Sequence, residues 1–159
     1  MISVKLITVG NLKEGYLREA EAEYIKRLGA FCRFENVSLK EAKVGDDPSQ
    51  AEIENALEAE AKNILAALSQ RAYKIALCVE GKQYSSEGLA EIIEKSSAEH
   101  SEIDLVIGSS HGLSEKVKRA CDLRLSVSNL TFPHQLMRII LLEAVYRGFN
   151  IIKGTKYHK

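Results

Sequence analysis

The chain contains no tryptophan, only two prolines and three cysteines in 159 residues, and no net charge at neutral pH. Each shortage excludes something. With so little proline, no linker of the usual kind divides the chain, and one domain over residues 1–159 is expected. Cys32, Cys78 and Cys121 are unevenly spaced and form no Cys-x-x-Cys pair, so a zinc ribbon or thioredoxin-type centre is unsupported and no metal is expected. Their odd number, without a signal-peptide pattern, points to a reducing, cytoplasmic setting. No apolar stretch approaches the roughly 20 residues of a membrane span. Balanced total charge means that the molecule as a whole does not announce a polyanionic partner.

What is present is ordinary soluble composition, 45% hydrophobic and 28% charged, with the charge unevenly placed. Between Glu41 and Ala66 seven acidic residues stand against two basic ones. From Thr131 onward Arg138, Arg147, Lys153, Lys156 and Lys159 stand against Glu143 alone. A basic end opposed to an acidic middle gives a one-sided field that suits a phosphate backbone, the plain alternative being solvated surface.

Five short apolar runs alternate with helical patterns. Strands are expected at Ile2–Val9, Arg33–Leu39, Lys74–Val79, Ile103–Ile107 and Leu123–Val127. Helices are expected at Leu12–Leu28, at Ala51–Leu68, from a Ser85 or Ser86 cap to Ser96, from a Ser114 cap to Ala120, and from Pro133 to near Gly148. Glu41–Ser49, with Gly45, Asp46, Asp47 and Pro48, is a loop. Cys78, inside an apolar run, reads as a small buried hydrophobe. Alternating strands and helices specify an α/β fold with a mainly parallel sheet and helices on both faces. The last helix carries apolar residues around most of its circumference, from Leu136 to Tyr146, and so needs cover on nearly all sides. A second copy of the chain supplies that cover in a two-fold homodimer; a central helix within one core is the alternative.

In open α/β sheets ligands bind beyond the carboxyl ends of strands. Three such ends are unusual here: Val79-Glu80-Gly81-Lys82, Gly108-Ser109-Ser110-His111-Gly112, and Ser126-Val127-Ser128-Asn129-Leu130-Thr131-Phe132-Pro133-His134. Glycines permit close backbone approach, hydroxyl and amide side chains supply hydrogen bonds, and Leu130 and Phe132 supply apolar walls. The mixture suits an adenine nucleoside. A rival pattern occupies the same place. Gly108–Gly112 fits Gly-x-Ser-x-Gly, which would make Ser110 a hydrolase nucleophile, followed in order by Asp122 and by His134 or His158. The chain is short for that fold, and no oxyanion donor is recognisable. His100 and His111 read as bystanders. The terminal Gly154-Thr155-Lys156-Tyr157-His158-Lys159 joins a phenol, an imidazole and lysines, a set suited to stacking a base and holding phosphate.

Together these pieces resemble a known family. The carrying segments are Val9-Gly10-Asn11-Leu12-Lys13, Glu23-Tyr24-Ile25-Lys26-Arg27-Leu28, Ser85-Ser86-Glu87-Gly88-Leu89-Ala90, Val106-Ile107-Gly108, Thr131-Phe132-Pro133-His134-Gln135, Glu143-Ala144-Val145-Tyr146-Arg147 and Tyr157-His158-Lys159. They resemble the RlmH family, SPOUT-class methyltransferases acting on N3 of a pseudouridine in large-subunit ribosomal RNA. The resemblance spans essentially the whole chain. It implies an α/β sheet whose carboxyl-terminal part is threaded into a trefoil knot, a rare exception to the avoidance of threading. It further implies S-adenosyl-L-methionine as cofactor, a homodimer in which the partner's tail completes the site, and helix 69 of 23S ribosomal RNA, in the assembled ribosome, as substrate. Carried over by position, cofactor contacts are expected at Leu77, Gly108, Val127, Ser128, Asn129, Leu130, Thr131 and Phe132. By side-chain chemistry and tail position, His158 is the candidate proton acceptor or orienter. Tyr157 is the candidate to stack on or hydrogen-bond to the base, and Arg147 to hold an RNA phosphate or a developing oxyanion. The family often has two glycines where this chain has Gly108-Ser109, and lysine or alanine where Asn129 stands. A ribosome-binding SPOUT protein without catalysis is the alternative within the same fold.

Overall fold

A computed structural model describes residues 1–159. Strands β1 (Ser3–Val9), β2 (Arg33–Leu39), β3 (Tyr73–Lys82), β4 (Glu102–Ile107) and β5 (Leu123–Leu125) alternate with helices α1 (Gly15–Leu28), α2 (Gln50–Ala67), α3 (Ser86–Glu99), α4 (Glu115–Ala120) and α5 (His134–Lys153). The strands form one parallel sheet in the order β2-β1-β4-β3-β5. The two-residue period of the strands divides the core. Val4, Leu6, Ile75, Ile103, Leu105 and Ile107 meet Leu28, Leu89, Ile93, Leu141, Leu142, Val145 and Phe149 from α1, α3 and α5. On the other face Ile7, Val9, Ala76 and Val106 meet Ala61 and Ile64 of α2 and Val117 of α4. Each large side chain so buried contributes about 2 kcal/mol. Serines start three of the helices. Ser49 forms a capping box with Glu52, and the hydroxyls of Ser85 and Ser114 accept the N–H groups of Gly88 and Val117.

α3 runs on to Glu99, three residues past its expected end, and four other boundaries differ from expectation for an identifiable physical reason. The first helix begins at Gly15, because Leu12 is packed with Leu17 and Ile139, and the Arg18 guanidinium donates to the Leu12 and Lys13 carbonyls. β3 continues to Lys82 through an irregularity in which Leu125 pairs with both Leu77 and Lys82. β5 stops at Leu125, and residues 126–133 turn away as an irregular loop. The last helix passes Gly148 and ends at Gly154, whose φ of 70° supplies the left-handed stop. Gly148 instead permits close helix packing: a Cβ there would lie 2.8 Å from Ile93 Cδ1 on α3. Cys78 is only half-buried, and its neighbour Val79 is 74% exposed, so this end of β3 leaves the core.

α5 is covered on two sides by α1 and α3 and beneath by the sheet. Leu136, Ile140, Glu143, Arg147 and Ile151 recur at steps of three or four residues along a single stripe. All five stay partly exposed, and Leu136, Ile140 and Ile151 stand outside the core clusters.

Candidate active site

The carboxyl ends of β3, β4 and β5 open into a hollow of about 290 Å³, close to the lower end of small-ligand pockets. β3 contributes Leu77, Cys78 and Val79. The loop after β4 contributes Gly108–Gly112, the loop after β5 contributes Ser126–Ser128 and Leu130–Phe132, and α5 contributes His134 and Met137. The loops meet because two positions have no side chain. A Cβ on Gly108 would lie 2.2 Å from the Gly112 carbonyl oxygen, and one on Gly81 would lie 2.6 Å from the backbone of Leu125. The loop after β5 is also held by its own hydroxyls. Ser126 Oγ donates to the Ser128 carbonyl, and the Leu130 N–H donates to Ser128 Oγ.

Seven of the eight residues expected to hold the cofactor line this hollow: Leu77, Gly108, Val127, Ser128, Leu130, Thr131 and Phe132. Asn129 does not; its side-chain oxygen accepts a 2.6 Å hydrogen bond from Gln83 Nε2. The lining fits an adenosyl sulfonium in kind. It offers apolar walls, the hydroxyls of Ser110, Ser126, Ser128 and Thr131, and irregular loops with accessible backbone. Val79 and Leu130, 74% and 70% exposed, leave apolar surface at its edge that a bound nucleoside would cover.

Ser109, next to Gly108, turns its hydroxyl toward α2 and donates to Glu60 Oε1 at 3.0 Å. The other Glu60 oxygen accepts the Ala42 N–H at 3.0 Å, and Glu60 is only 4% exposed. This buried carboxylate ties the glycine loop to the segment after β2. Glu60 lies three residues after Leu57 and four before Ile64, on the apolar stripe of α2, which is a signal legible in the sequence. Ser109→Ala would leave one buried carboxylate oxygen unpaired. A stability loss of about 1–3 kcal/mol is expected in urea unfolding.

The tail folds onto the end of α5. Glu143 takes a paired hydrogen bond from Arg147, at 2.8 Å from Nε and 2.7 Å from Nη2, and accepts the Tyr157 hydroxyl at 2.7 Å. The guanidinium stands 4.7 Å from the centre of the Tyr157 ring. His158 Nδ1 lies 3.3 Å from Arg147 Nη1, and its Nε2 lies 2.8 Å from Glu87 on α3. Arginine only donates, so Nδ1 accepts and Nε2 carries the proton given to Glu87. Both ring nitrogens are therefore engaged. The hydrogen bond from His158 holds the Glu87 carboxyl below its ordinary range. Burial, then Glu143, raises the Tyr157 phenol. The three tail candidates, His158, Tyr157 and Arg147, are thus brought together by Glu143 and Glu87. Along α5, however, Arg147 lies ten residues beyond Met137 in the hollow, about 15 Å at the helical rise.

The hydrolase constellation is not assembled. Ser110 sits at the carboxyl end of β4, whereas Asp122 precedes β5 at the opposite sheet edge, where it accepts the Lys74 N–H at 2.8 Å. His158 is held by Glu87 and Arg147. His134, which the sequence offers at the end of the loop after β5, in the Phe-Pro-His segment and in that unassembled triad, lines the hollow, and burial lowers its pKa.

The family described as predicted SPOUT methyltransferase matches residues 2–158. A protein of Streptococcus thermophilus (strain CNRZ 1066) named ribosomal RNA large subunit methyltransferase H is 50% identical, over 99% of this chain and 100% of that protein. Proteins of the same name from Streptococcus agalactiae (strain NEM316) and Streptococcus sanguinis (strain SK36) are 45% and 43% identical over the same shares. A solved structure of a probable methylase family protein from Haemophilus influenzae superposes with a TM-score of 0.53 at 15% identity, covering 99% of this chain and 70% of that one, which speaks for the fold alone. No helix is long and apolar enough to cross a membrane. The chain belongs to the SPOUT methyltransferase family, among the proteins named ribosomal RNA large subunit methyltransferase H.

Proposed function

We propose that the protein methylates N3 of a pseudouridine in helix 69 of 23S ribosomal RNA, with S-adenosyl-L-methionine as donor, on the assembled cytoplasmic ribosome. One observation carries the reading: Leu77, Gly108, Val127, Ser128, Leu130, Thr131 and Phe132, distant in sequence, converge on one hollow of mixed polarity. When bound there, the sulfonium supplies a methyl group already activated for transfer. The chain's work is then to hold the loops shut around the nucleoside, align the base and stabilise charge on the pyrimidine. A trefoil threading of the carboxyl-terminal segment belongs to the same proposal. So does a two-fold homodimer.

The dimer is supported by the stripe Leu136, Ile140, Glu143, Arg147 and Ile151, which the chain's own helices leave partly uncovered. The Glu143–Arg147 pair lies on that stripe, facing where a second copy would pack, while its own hollow is about 15 Å away along the helix. The partner's α5, with its tail packed against it, then brings Arg147 to the substrate as the cation that meets negative charge on the base. Tyr157 lies against the guanidinium and is suited to stack on or bond the base. His158, engaged at both nitrogens, orients Arg147 rather than receiving a proton.

The test is incubation of tritiated S-adenosyl-L-methionine with ribosomes lacking the modification, followed by mapping of the label. Tritium at a single helix-69 pseudouridine is expected. Label at another nucleotide, or none in the RNA, contradicts the assignment.

A further inference from the structure

Resting on the proposed pseudouridine substrate, we propose that His134 is the proton acceptor for the imide N3–H, standing between the cofactor hollow and an adjoining polar cleft that receives the nucleotide. The cleft, about 680 Å³, lies beyond the carboxyl ends of β1 and β2. Its walls include Asn11, Lys13, Ser38, Lys40 and Gln135, with a single apolar side chain in the whole lining. Two cations against the one carboxylate of Glu41, with two amides and a serine hydroxyl, suit a ribose-phosphate and a pyrimidine edge far better than an apolar ligand. Only Ser110 and His134 line both the cleft and the cofactor hollow, and of these only His134 titrates near neutral pH. A base that reaches a methyl donor in one hollow from a seat in the other must pass beside this imidazole.

The ring is also free to act. It makes no hydrogen bond to the chain, unlike the rings of His100 and His158. Its position at the first residue of α5, behind Pro133, places it at the positive end of a helix, which favours the neutral form. Burial lowers its pKa, with Arg138 and Lys13 acting the same way and Glu41 opposing. The other ionisable groups around it are Lys40 in the cleft and Cys78 and His111 in the hollow. A neutral imidazole at working pH is the form a general base requires. In the step proposed, the N3–H bond breaks and its proton goes to a ring nitrogen of His134. The electron pair stays on N3 and would form the new bond to the methyl carbon as the donor's carbon–sulfur bond breaks, that bond's pair leaving on sulfur as a neutral thioether; the imidazolium then returns its proton to water in the open cleft.

The experiment compares the unaltered protein with His134→Ala and His134→Asn on ribosomes, by single-turnover methyl transfer from pH 5 to 9. For the unaltered protein the rate is expected to fall at acid pH with an inflection below the ordinary histidine value of about 6.5. Both variants are expected to lose on the order of 10²–10⁴-fold in rate and to lose that acid limb. Added imidazole should partly restore His134→Ala, while cofactor affinity by calorimetry stays within about threefold, a change of well under 1 kcal/mol. A second readout needs no turnover. In nuclear magnetic resonance spectra of the protein alone, the His134 ring, identified by its loss in the variants, should titrate below the ordinary histidine value. It should also shift when a pseudouridine-containing stem-loop is added. Variants that keep the rate and the acid limb, a His134 ring that ignores the stem-loop, or loss of cofactor binding in both variants would overturn the assignment. If the unaltered protein transfers no methyl group to ribosomes, the substrate reading fails first and this proposal with it, a result distinct from a variant-specific outcome.

Discussion

Gly108→Ala is expected to weaken S-adenosyl-L-methionine binding by at least about 100-fold and to cost about 1–3 kcal/mol of stability, the usual range for overpacking a well-filled site. The reason is local and steric. The added Cβ would stand 2.2 Å from the Gly112 carbonyl oxygen and 2.6 Å from its carbon, so either the loop after β4 opens or β4 shifts. Val106 and Ile107, the strand residues just before it, are buried, which leaves the loop as the part that gives. Moving that loop displaces Ser109, Ser110 and Gly112 from the hollow together. Calorimetry measures the first effect and urea unfolding the second. Undiminished binding would mean that the nucleoside does not depend on this cradle.

Arg147→Ala is expected to lower the rate of methyl transfer on ribosomes by about 10²–10³-fold with cofactor affinity unchanged, the magnitude typical of removing a donor that meets developing negative charge. The guanidinium is held in place from three sides, by the paired bonds to Glu143, the face of Tyr157 and His158 Nδ1. The hydrogen bonds to Glu143 also raise its pKa above the ordinary arginine value, so it remains charged throughout the working range. Arg147→Lys keeps the charge but not the planar, paired geometry, and only partial activity is expected. Single-turnover rates at saturating ribosome concentration distinguish this role from simple phosphate binding. A phosphate contact would show as weaker, less salt-sensitive association, with the saturated rate preserved.

Much of this is legible in the residues, and what is not has identifiable causes. Strand β2 matches its expected span at both ends, because Arg33–Leu39 is bounded by a helix stop and a charged loop. Gly148 reads locally as a helix end, but its lack of a side chain serves the approach of α3 to α5, a tertiary reason that no local pattern reveals. The hollow is foreseeable through glycines and hydroxyls at three strand ends, since sheet topology places such ends together. Asn129 cannot be told from its neighbours in the sequence, because only the loop's actual path turns it toward Gln83. His134 is hidden for a different reason. Its significance lies in the two hollows it separates, and the second, formed beyond β1 and β2, draws on residues that carry no motif. The engagement of both His158 nitrogens likewise depends on Glu87, seventy-one residues earlier in the chain.

The proposed composite site, a hollow on one copy completed by Arg147 of another, is tested most directly by mixing the two inactive proteins. Gly108→Ala lacks a working hollow but keeps its tail; Arg147→Ala keeps its hollow but lacks the cation. After subunit exchange in equal amounts, half the dimers are mixed and each holds one complete site, so activity should return to about a quarter of the unaltered protein's. If the mixture stays as inactive as its parts while mixed dimers are shown to form, Arg147 does not act on its partner's hollow, and a site shared between two copies is contradicted.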